Sequence, residues 1–430
     1  MQRFLYRLLR LLSGVRYWIQ RHLTKAGLLL FFGLIVTATF GLDTTRSLAY
    51  QSFTLLLCLF ILAVVGSLRF RPDVSVSRTL PRFVTVGEPF TYALAVRNLA
   101  RKSLEGLLVR EQEADPRPLL SEFLQAPDVS RGSACWSRLI ASRKVALFEE
   151  VALPALPPHG EVEIRMAGIP LRRGKARLVG VTVARPDPFG LFKAQATVPA
   201  EGSFLILPKR YKVPDIQLPG TRKYQPGGVT LASSVADSEE FLSLRDYRPG
   251  DPLRHIHWKS WAKAGKPIVK EYQDEFFVRH ALVLDTFADA TSAESLEGAV
   301  SVAASFACSI DTQDSLLDVM FMEDKAYCFT TGRGLGGVER LLEILACIQP
   351  CLDKPLSELR DAVLARRASV SGCICVLLAW DGPRQQLVKD LKAAGLPVLV
   401  LVITGVAVDN PSERIHVFKA SEIAEGLARL

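Results

Sequence analysis

Two stretches without a charged residue dominate the first 70 positions. Positions 26–42 hold 17 such residues between Lys25 and Asp43, and Ser47–Leu68 holds 22 between Arg46 and Arg69. As helices they measure about 26 and 33 Å, against a bilayer hydrocarbon core of about 30 Å. The pattern predicts two transmembrane helices joined by the tight turn Asp43-Thr44-Thr45-Arg46. A cleaved signal peptide fits less well, because a long basic lead precedes the first span and a second span follows it. Within that lead, Leu5, Leu8, Leu9, Leu12, Val15 and Ile19 recur at helical spacing, with Arg3, Arg7, Arg10 and Arg21 on the other side. This predicts a basic amphipathic helix suited to the headgroup layer, or else a run of topology-setting charges.

Beyond the anchor the period changes to two. Positions 83–86 and 90–96 pair around Gly87-Glu88, and 145–153, 161–169 and 176–184 continue the series, with turns at Pro157-Pro158-His159-Gly160 and Arg173-Gly174. Short strands with regular turns predict an immunoglobulin-like β-sandwich over 73–200. Positions 112–140, broken by Pro116, Pro118, Pro127 and Gly132, are expected to be a long loop or insertion.

From position 276 the chain alternates again. Apolar strands are predicted at 277–284, 316–322, 373–379 and 397–403, with helices at 292–310, 335–348, 356–368 and 384–394. Near-continuous apolar strands separated by helices predict an α/β domain with a mainly parallel sheet covered on both faces. The expected organisation is a basic amphipathic segment (1–25), two transmembrane helices (26–68), a β-sandwich (73–200), a linker region (201–275) and the α/β domain (276–430). Ligands of such sheets bind beyond the carboxyl ends of the strands, where Asp285 and Asp381 emerge.

Composition supports a multidomain globular chain: 430 residues, 49% hydrophobic and 23% charged, exclude disorder and a disulfide-stapled module. The net charge of +9 is unevenly spread. Six Lys/Arg and no acid lie in the first 25 residues, whereas 276–430 carry 14 basic against 20 acidic residues. Basicity graded away from the N-terminus suits tethering to an anionic membrane, and no basic recognition element for nucleic acid is present. Flanking charge orients the spans. Six Lys/Arg precede the first, Arg69, Arg71, Arg78 and Arg82 follow the second, and one lies in the turn, so both termini and the soluble domains are expected in the cytoplasm. The eight cysteines sit mostly among apolar neighbours and predict reduced thiols.

The densest chemistry lies at 238–271. Arg248-Pro249-Gly250-Asp251 fits a type II turn, and Asp251-Pro252 resembles a helix start stopped by Gly265 and Pro267, which predicts a helix over 252–264. Leu253, Ile256, Ser260, Trp261 and Ala264 would face the core. His255 and His257 lie two apart, so on a helix they diverge by about 200° and cannot share one metal ion. On a strand they would share a face.

This segment, with Leu244-Arg245-Asp246-Tyr247-Arg248-Pro249-Gly250-Asp251 and Arg254-His255-Ile256-His257-Trp258-Lys259, closely resembles the signature of the family called domain of unknown function 58. Arg172-Arg173-Gly174 and Asp187-Pro188-Phe189-Gly190-Leu191-Phe192 match it as well, and the resemblance extends over essentially the whole chain. Where many relatives resemble one another in an acidic residue, this chain has His257. The resemblance implies a two-span protein of the bacterial inner membrane with a von Willebrand A-like C-terminal domain. It also implies genomic association with MoxR-type AAA+ ATPases and transglutaminase-like membrane proteins.

Domains similar to von Willebrand A often hold Mg²⁺ through an Asp-x-Ser-x-Ser loop, a threonine and a second aspartate. Here Asp285 matches the first aspartate, Thr330 or Thr331 the threonine, and Asp381 the last. Phe287 and Asp289 stand where the serines belong, which removes neutral oxygen ligands that Mg²⁺ requires. Aspartates at strand ends also cap neighbouring helices. Gly332–Gly337 lacks the Lys-Ser/Thr of a phosphate loop, and no cysteine pair has zinc-site spacing.

The favoured expectation is a non-enzymatic, membrane-anchored adaptor or scaffold that acts with a MoxR-type ATPase on client proteins. Arg245, Tyr247, Arg248, Asp251, Arg254 and Trp258 would form its recognition surface, since Arg, Tyr and Trp dominate interface energetics. Alternatively, Asp246 and Asp251 pair with these arginines as a structural lock. The competing classes are a metal-dependent hydrolase centred on Asp285/Asp381 or the histidine pair, and a purely structural envelope component.

Overall fold

A computed structural model describes residues 2–41, 47–68, 70–126, 132–214, 223–224, 241–249, 251, 253, 256–272, 276–288, 293–310, 315–331, 337–406 and 415–430. The chain divides into two compact units, Met1–Leu207 and Pro208–Leu430. The sequence-based boundary near 200 therefore falls seven residues early, because the last strand of the first unit continues to Leu207.

The first unit begins with α1 (Gln2–His22), α2 (Lys25–Gly41) and α3 (Ser47–Leu68). Within α3, Ala49–Ser67 has a mean hydropathy of 2.0 and is long and apolar enough to cross a bilayer; the apolar part of α2, Lys25–Thr39, is shorter. Phe31 and Phe60 bring the two helices together, with ring centroids 6.0 Å apart.

Nine strands follow: β1 (Val74–Thr79), β2 (Phe83–Thr85), β3 (Phe90–Asn98), β4 (Leu107–Glu113), β5 (Ala146–Phe148), β6 (Val151–Leu153), β7 (Glu161–Pro170), β8 (Gly174–Pro186) and β9 (Lys193–Leu207). They form a four-stranded sheet, β1-β3-β7-β5, and a five-stranded sheet, β2-β9-β8-β4-β6. Pairing is antiparallel except between β2 and β9. Leu94, Val96 and Met166 from the first sheet pack against Leu107, Val109, Val181 and Val183 from the second. Alternation of apolar and polar residues along each strand puts these side chains inside, which makes the unit a β-sandwich.

The stretch 112–140, expected to be loop, instead carries the end of β4 and two helices, α4 (Leu120–Gln125) and α5 (Ser133–Arg143). Neither has a strong amphipathic period of its own. They are held by a cluster in which Tyr6 of α1 meets Phe123 and Trp136 with ring centroids 5.8 and 5.6 Å apart. Tertiary burial of these rings overrides weak local propensity.

The motif Asp187-Pro188-Phe189-Gly190-Leu191-Phe192 has a structural task in this unit. The Asp187 carboxylate accepts hydrogen bonds from the backbone N–H groups of Phe189, Leu191 and Phe192 at 3.0, 2.6 and 2.6 Å. The turn so tied seats the start of α2. Thr24 Oγ1 donates to the Gly190 carbonyl at 2.6 Å and accepts from the Gly27 N–H at 3.0 Å. A Cβ on Gly27 would lie 2.0 Å from the Leu191 carbonyl oxygen, so only glycine admits this approach. Leu191 and Phe192 bury beside Leu23 and Ala63, which ties the apolar helices to the sandwich.

The second unit contains β10 (Lys223–Tyr224), β11 (Phe241–Asp246), α6 (Trp258–Ala264), β12 (Ile268–Tyr272), β13 (Phe276–Leu284), α7 (Ala293–Ile310), β14 (Ser315–Met322), β15 (Ala326–Thr331), α8 (Val338–Cys347), α9 (Leu356–Ala365), β16 (Gly372–Leu377), α10 (Gly382–Ala393), β17 (Val398–Ile403), β18 (His416–Phe418) and α11 (Ile423–Ala428). Its main sheet has the order β15-β14-β13-β16-β17-β18, and β10 pairs with β13. Neighbours from β14 to β18 are parallel, whereas β15 is an antiparallel edge. Every residue of β16 is buried, which explains its unbroken apolar run. Leu359, Val363, Leu387 and Leu391 from α9 and α10 join one continuous core with Cys375 and Val400 of the sheet. This is the α/β architecture expected from the alternating pattern.

His280 lies inside this sheet, 4% exposed, and its Nδ1 has no partner. Burial pulls the imidazole down to about 4. Above pH 6.5 the ring is neutral in both folded and unfolded chain and has no effect. As pH falls from 6.5 towards 4, only the unfolded chain takes up the proton, so stability is lost, by about 3 kcal/mol at the end of that window. Urea midpoints at pH 7 and pH 4 are expected to converge in His280→Leu relative to the unsubstituted protein.

Candidate functional site

The signature segment folds as a two-stranded hairpin with a short helix. β11 and β12 pair antiparallel, with Arg245 opposite Val269 and Asp246 opposite Ile268. The Arg248–Asp251 turn closes through an Asp251 N–H bond to the Arg248 carbonyl at 3.0 Å. Asp251 does not cap α6, whose N-cap is His257. The Asp251 carboxylate accepts two bonds from the Arg245 guanidinium, at 2.7 and 2.8 Å, and one from the Arg248 N–H at 2.8 Å. The fork of Arg245, foremost, then the Arg248 N–H, hold the carboxyl down at about 2.

The helix starts at Trp258, six residues later than its sequence suggests. Ile256 bridges to Val269, and the His257 N–H bonds to the Ile268 carbonyl at 2.8 Å, so β12 claims this backbone for sheet-like pairing. The end is as expected: Gly265 takes a left-handed conformation, φ 68°, and its N–H bonds to the Trp261 carbonyl. The late start redistributes the side chains. Ile256 is buried as expected, but Leu253 is 68% exposed and Ala264 is also exposed. Trp258 is 65% exposed and stacks on Trp261 with centroids 5.2 Å apart and planes 17° apart.

Of the six residues expected on a recognition surface, Arg245 and Asp251 are therefore committed to each other. Arg248 is exposed, Tyr247 is half-buried, and Trp258 projects outward. Arg254 and His255 lie outside the described residues. His257 Nδ1 is 2.6 Å from Ser260 Oγ. Asp246 pairs with Lys266 rather than with an arginine.

A second cluster forms at the carboxyl ends of β13 and β16, where Asp285 and Asp381 were expected. Asp285 is fully buried and accepts the N–H groups of Phe287 and Leu378, both at 3.0 Å. Asp381 caps α10 by accepting the Arg384 N–H at 3.1 Å. The guanidinium of Arg384 joins them, with Nε 2.5 Å from Asp285 Oδ2, one terminal nitrogen 2.5 Å from Asp381 Oδ2, and the other donating to the Phe287 carbonyl at 3.1 Å. Burial alone would lower the guanidinium, but Asp285 and then Asp381 hold it above its ordinary value. An arginine thus supplies the positive charge between the two aspartates. Sequence spacing gave no sign of it, because Arg384 was read only as the start of a helix.

Thr331 does not join them. It lies opposite Leu317, which lies opposite His280, so it sits level with the middle of β13 and five residues along that strand from Asp285. There Thr330 Oγ1 donates at 2.6 Å to Asp318, which forms a two-bond pair with Arg279 at 2.8 and 2.9 Å. Asp289 lies outside the described residues. Among the described residues, no group of three or more His, Cys, Asp or Glu side chains is placed to hold a metal ion. The cleft beside Arg384, about 550 Å³, is lined by Glu294, Asp381, Thr404 and Lys419 among others.

Residues 243–410 match the family described as "Protein of unknown function DUF58". Over that segment the chain is similar to the DUF58 family. The DUF58 match begins inside β11, includes the Arg245–Asp251 clamp, Trp258 and the Asp285–Arg384–Asp381 cluster, and ends beyond β17. The Asp187–Phe192 turn lies outside it. No curated protein matches the chain significantly. Among solved structures, the chain is similar to the CARDB domain of the PF1109 protein from Pyrococcus furiosus crystallised with di-metal ions, at 16% identity and TM-score 0.18 over 32% of this chain and 89% of that one. It is also similar to AvmM, which catalyses macrocyclization in alchivemycin A biosynthesis, at 12% identity and TM-score 0.20 over 32% and 89%. Superpositions this weak carry no inference about either unit.

Proposed function

We propose that this protein is a membrane-anchored recruiter: a two-span hairpin of α2 and α3 holds it in the bacterial inner membrane, with both soluble units in the cytoplasm. There it presents a docking surface to a MoxR-type AAA+ ATPase and its client, and a transglutaminase-like membrane protein is a further candidate partner. The second unit is read as von Willebrand A-like, with Arg384 standing where such domains place a divalent cation. The observation that carries the recruiting role is the division of labour inside the signature. The Arg245–Asp251 clamp fixes the turn, while Trp258 and Leu253 stand in solvent at 65% and 68% exposure. Large apolar groups held outward beside exposed Lys259 and Lys263 have the composition of an interface hot spot with a basic rim.

The clamp and the surface separate by mutation. In binding measurements between the detergent-solubilised full chain and the MoxR-type ATPase, Trp258→Ala is expected to weaken binding about 30-fold or more with an unchanged melting temperature. Arg245→Ala is expected to lower the melting temperature, since the Asp251 carboxylate loses its counter-charge. Undiminished binding by Trp258→Ala at wild-type stability would sink the recruiting role.

A further inference from the structure

A cavity of about 550 Å³ opens in the first unit between α1, α5 and the edge of the sandwich. Its volume is that of an ordinary small-molecule site. One part of its wall is apolar, built by Leu9 and Leu12 from α1, Trp136 and Ile140 from α5, and Phe148 from β5. The other part is basic: Arg16, Arg21, Arg110 and Lys144 all line it. Arg21 lies over the Tyr17 ring, 4.2 Å from its centroid, and donates to its hydroxyl. Arg16, Arg110 and Lys144 form no ion pair among the described residues. One of the two carboxylates of the wall is engaged elsewhere. Glu111 is bonded to Arg78 and Tyr92, and Glu113 accepts from the Ala146 N–H while sharing the field of Lys144 and Arg110, so one carboxylate faces four cations and the rim keeps a net positive charge. The indole N–H of Trp136 is buried without an acceptor, an uncompensated donor in the cavity wall.

The outer side of α1 adds a second observation. Phe4, Leu8, Leu11, Val15 and Trp18 are 73, 42, 64, 49 and 50% exposed, and they fall on one stripe of the helix flanked by Arg3, Arg7 and Arg21. The helix therefore has an inner face packed on Phe123 and Trp136 and an outer face with the chemistry of a bilayer interface. His22 and Lys25 connect it directly to apolar α2. The cavity thus lies along a helix that belongs at the headgroup layer, with its cations at the level where phosphates are found.

We propose that the cavity is a lipid site that takes one acyl chain of an anionic phospholipid, with the lipid phosphate held by Arg110, Arg21 and Lys144. The apolar wall accepts the chain, and the excess of cations selects an anionic headgroup over a zwitterionic one. The site rests on the membrane anchorage proposed above. It makes docking of α1, and with it the seating of α4 and α5, dependent on the charge of the surrounding membrane.

The test uses the full chain in nanodiscs of phosphatidylcholine containing either a photoactivatable phosphatidylglycerol or a photoactivatable phosphatidylcholine, with a diazirine in one acyl chain, followed by peptide mapping of the adducts. Labelling of 136–148 is expected with the phosphatidylglycerol probe and not with the phosphatidylcholine probe. Arg110→Glu, on the exposed edge of β4, is expected to reduce it about tenfold or more. Ala141→Trp, which fills the cavity from α5, is expected to abolish it, both variants keeping wild-type melting temperatures. Adducts confined to 25–68 would overturn the lipid site and leave the anchorage standing. No adduct at either place would overturn both. Equal labelling by the two probes, or labelling unchanged in both variants, would also overturn it.

Discussion

Arg384→Ala is expected to cost the C-terminal unit about 3–5 kcal/mol, the range found when one partner of a buried ion pair is removed. Asp285 has no solvent access, so its charge relies on the Arg384 guanidinium and two backbone N–H groups. The N–H donors of Phe287 and Leu378 survive the substitution and keep the loss from exceeding that range. Asp381, about half-exposed, can be rehydrated and contributes little. Two companion measurements identify the cause. Asp285→Asn in the Arg384→Ala background is expected to recover a large part of the loss, because the stranded charge is gone. Arg384→Lys, which keeps a positive charge beside Asp285, is expected to lose less than Arg384→Ala. Chemical denaturation of the single and double variants at pH 7 reads both effects. A loss below about 1 kcal/mol at pH 7 would show that Asp285 reaches water or another cation, and the bridging role of Arg384 would fall.

The same cluster shows how far sequence reaches at a candidate site. Asp285 and Asp381 were legible because an apolar strand that ends in aspartate places that carboxylate at the carboxyl edge of a parallel sheet. Arg384 was not legible, since its part depends on α10 starting at Gly382 and aiming a side chain back across β16. Thr331 fails for a topological reason. β15 runs antiparallel to β14, so a residue late in β15 returns towards the start of β14, which a count along the chain does not reveal. In the signature segment, the Gly265 stop was legible from glycine's tolerance of positive φ. The helix start was not, because pairing of Ile256 with Val269 outweighed an Asp-Pro start signal. The α/β strands and helices were found to within a few residues, since burial on both faces writes unbroken apolar runs. Helices α4 and α5 escaped because their stability comes from Tyr6, more than a hundred positions away.

The second large effect is expected from Arg78→Ala in the sandwich. Arg78 on β1 and Tyr92 on β3 belong to one sheet, and Glu111 on β4 belongs to the other. The guanidinium lies 2.7 Å from Glu111 Oε2, and the Tyr92 hydroxyl donates to Oε1 at 2.6 Å. Arg78 also donates to the Ala200 carbonyl of β9. The side chains of Arg78 and Glu111 are 5% and 0% exposed, so this polar link crosses the apolar core between the sheets. Burial pushes the Glu111 carboxyl up, against Tyr92 and Arg78, which both favour the charged form. Without Arg78 the carboxylate keeps only the tyrosine, and the expected loss at pH 7 is about 3–5 kcal/mol. The sign with pH follows from the raised value. Protonated Glu111 needs no counter-charge, so the deficit is smallest below the unfolded value of 4.5 and increases as pH rises through the folded one. An apolar pair in the same space, Arg78→Met with Glu111→Leu, is expected to recover more than half of the loss, because two desolvated charges are then replaced by packing. Such recovery would identify the link as a device that fixes how the two sheets register rather than a net source of stability. A double variant no better than Arg78→Ala would instead assign the energy to the hydrogen bonds at Tyr92 and Ala200.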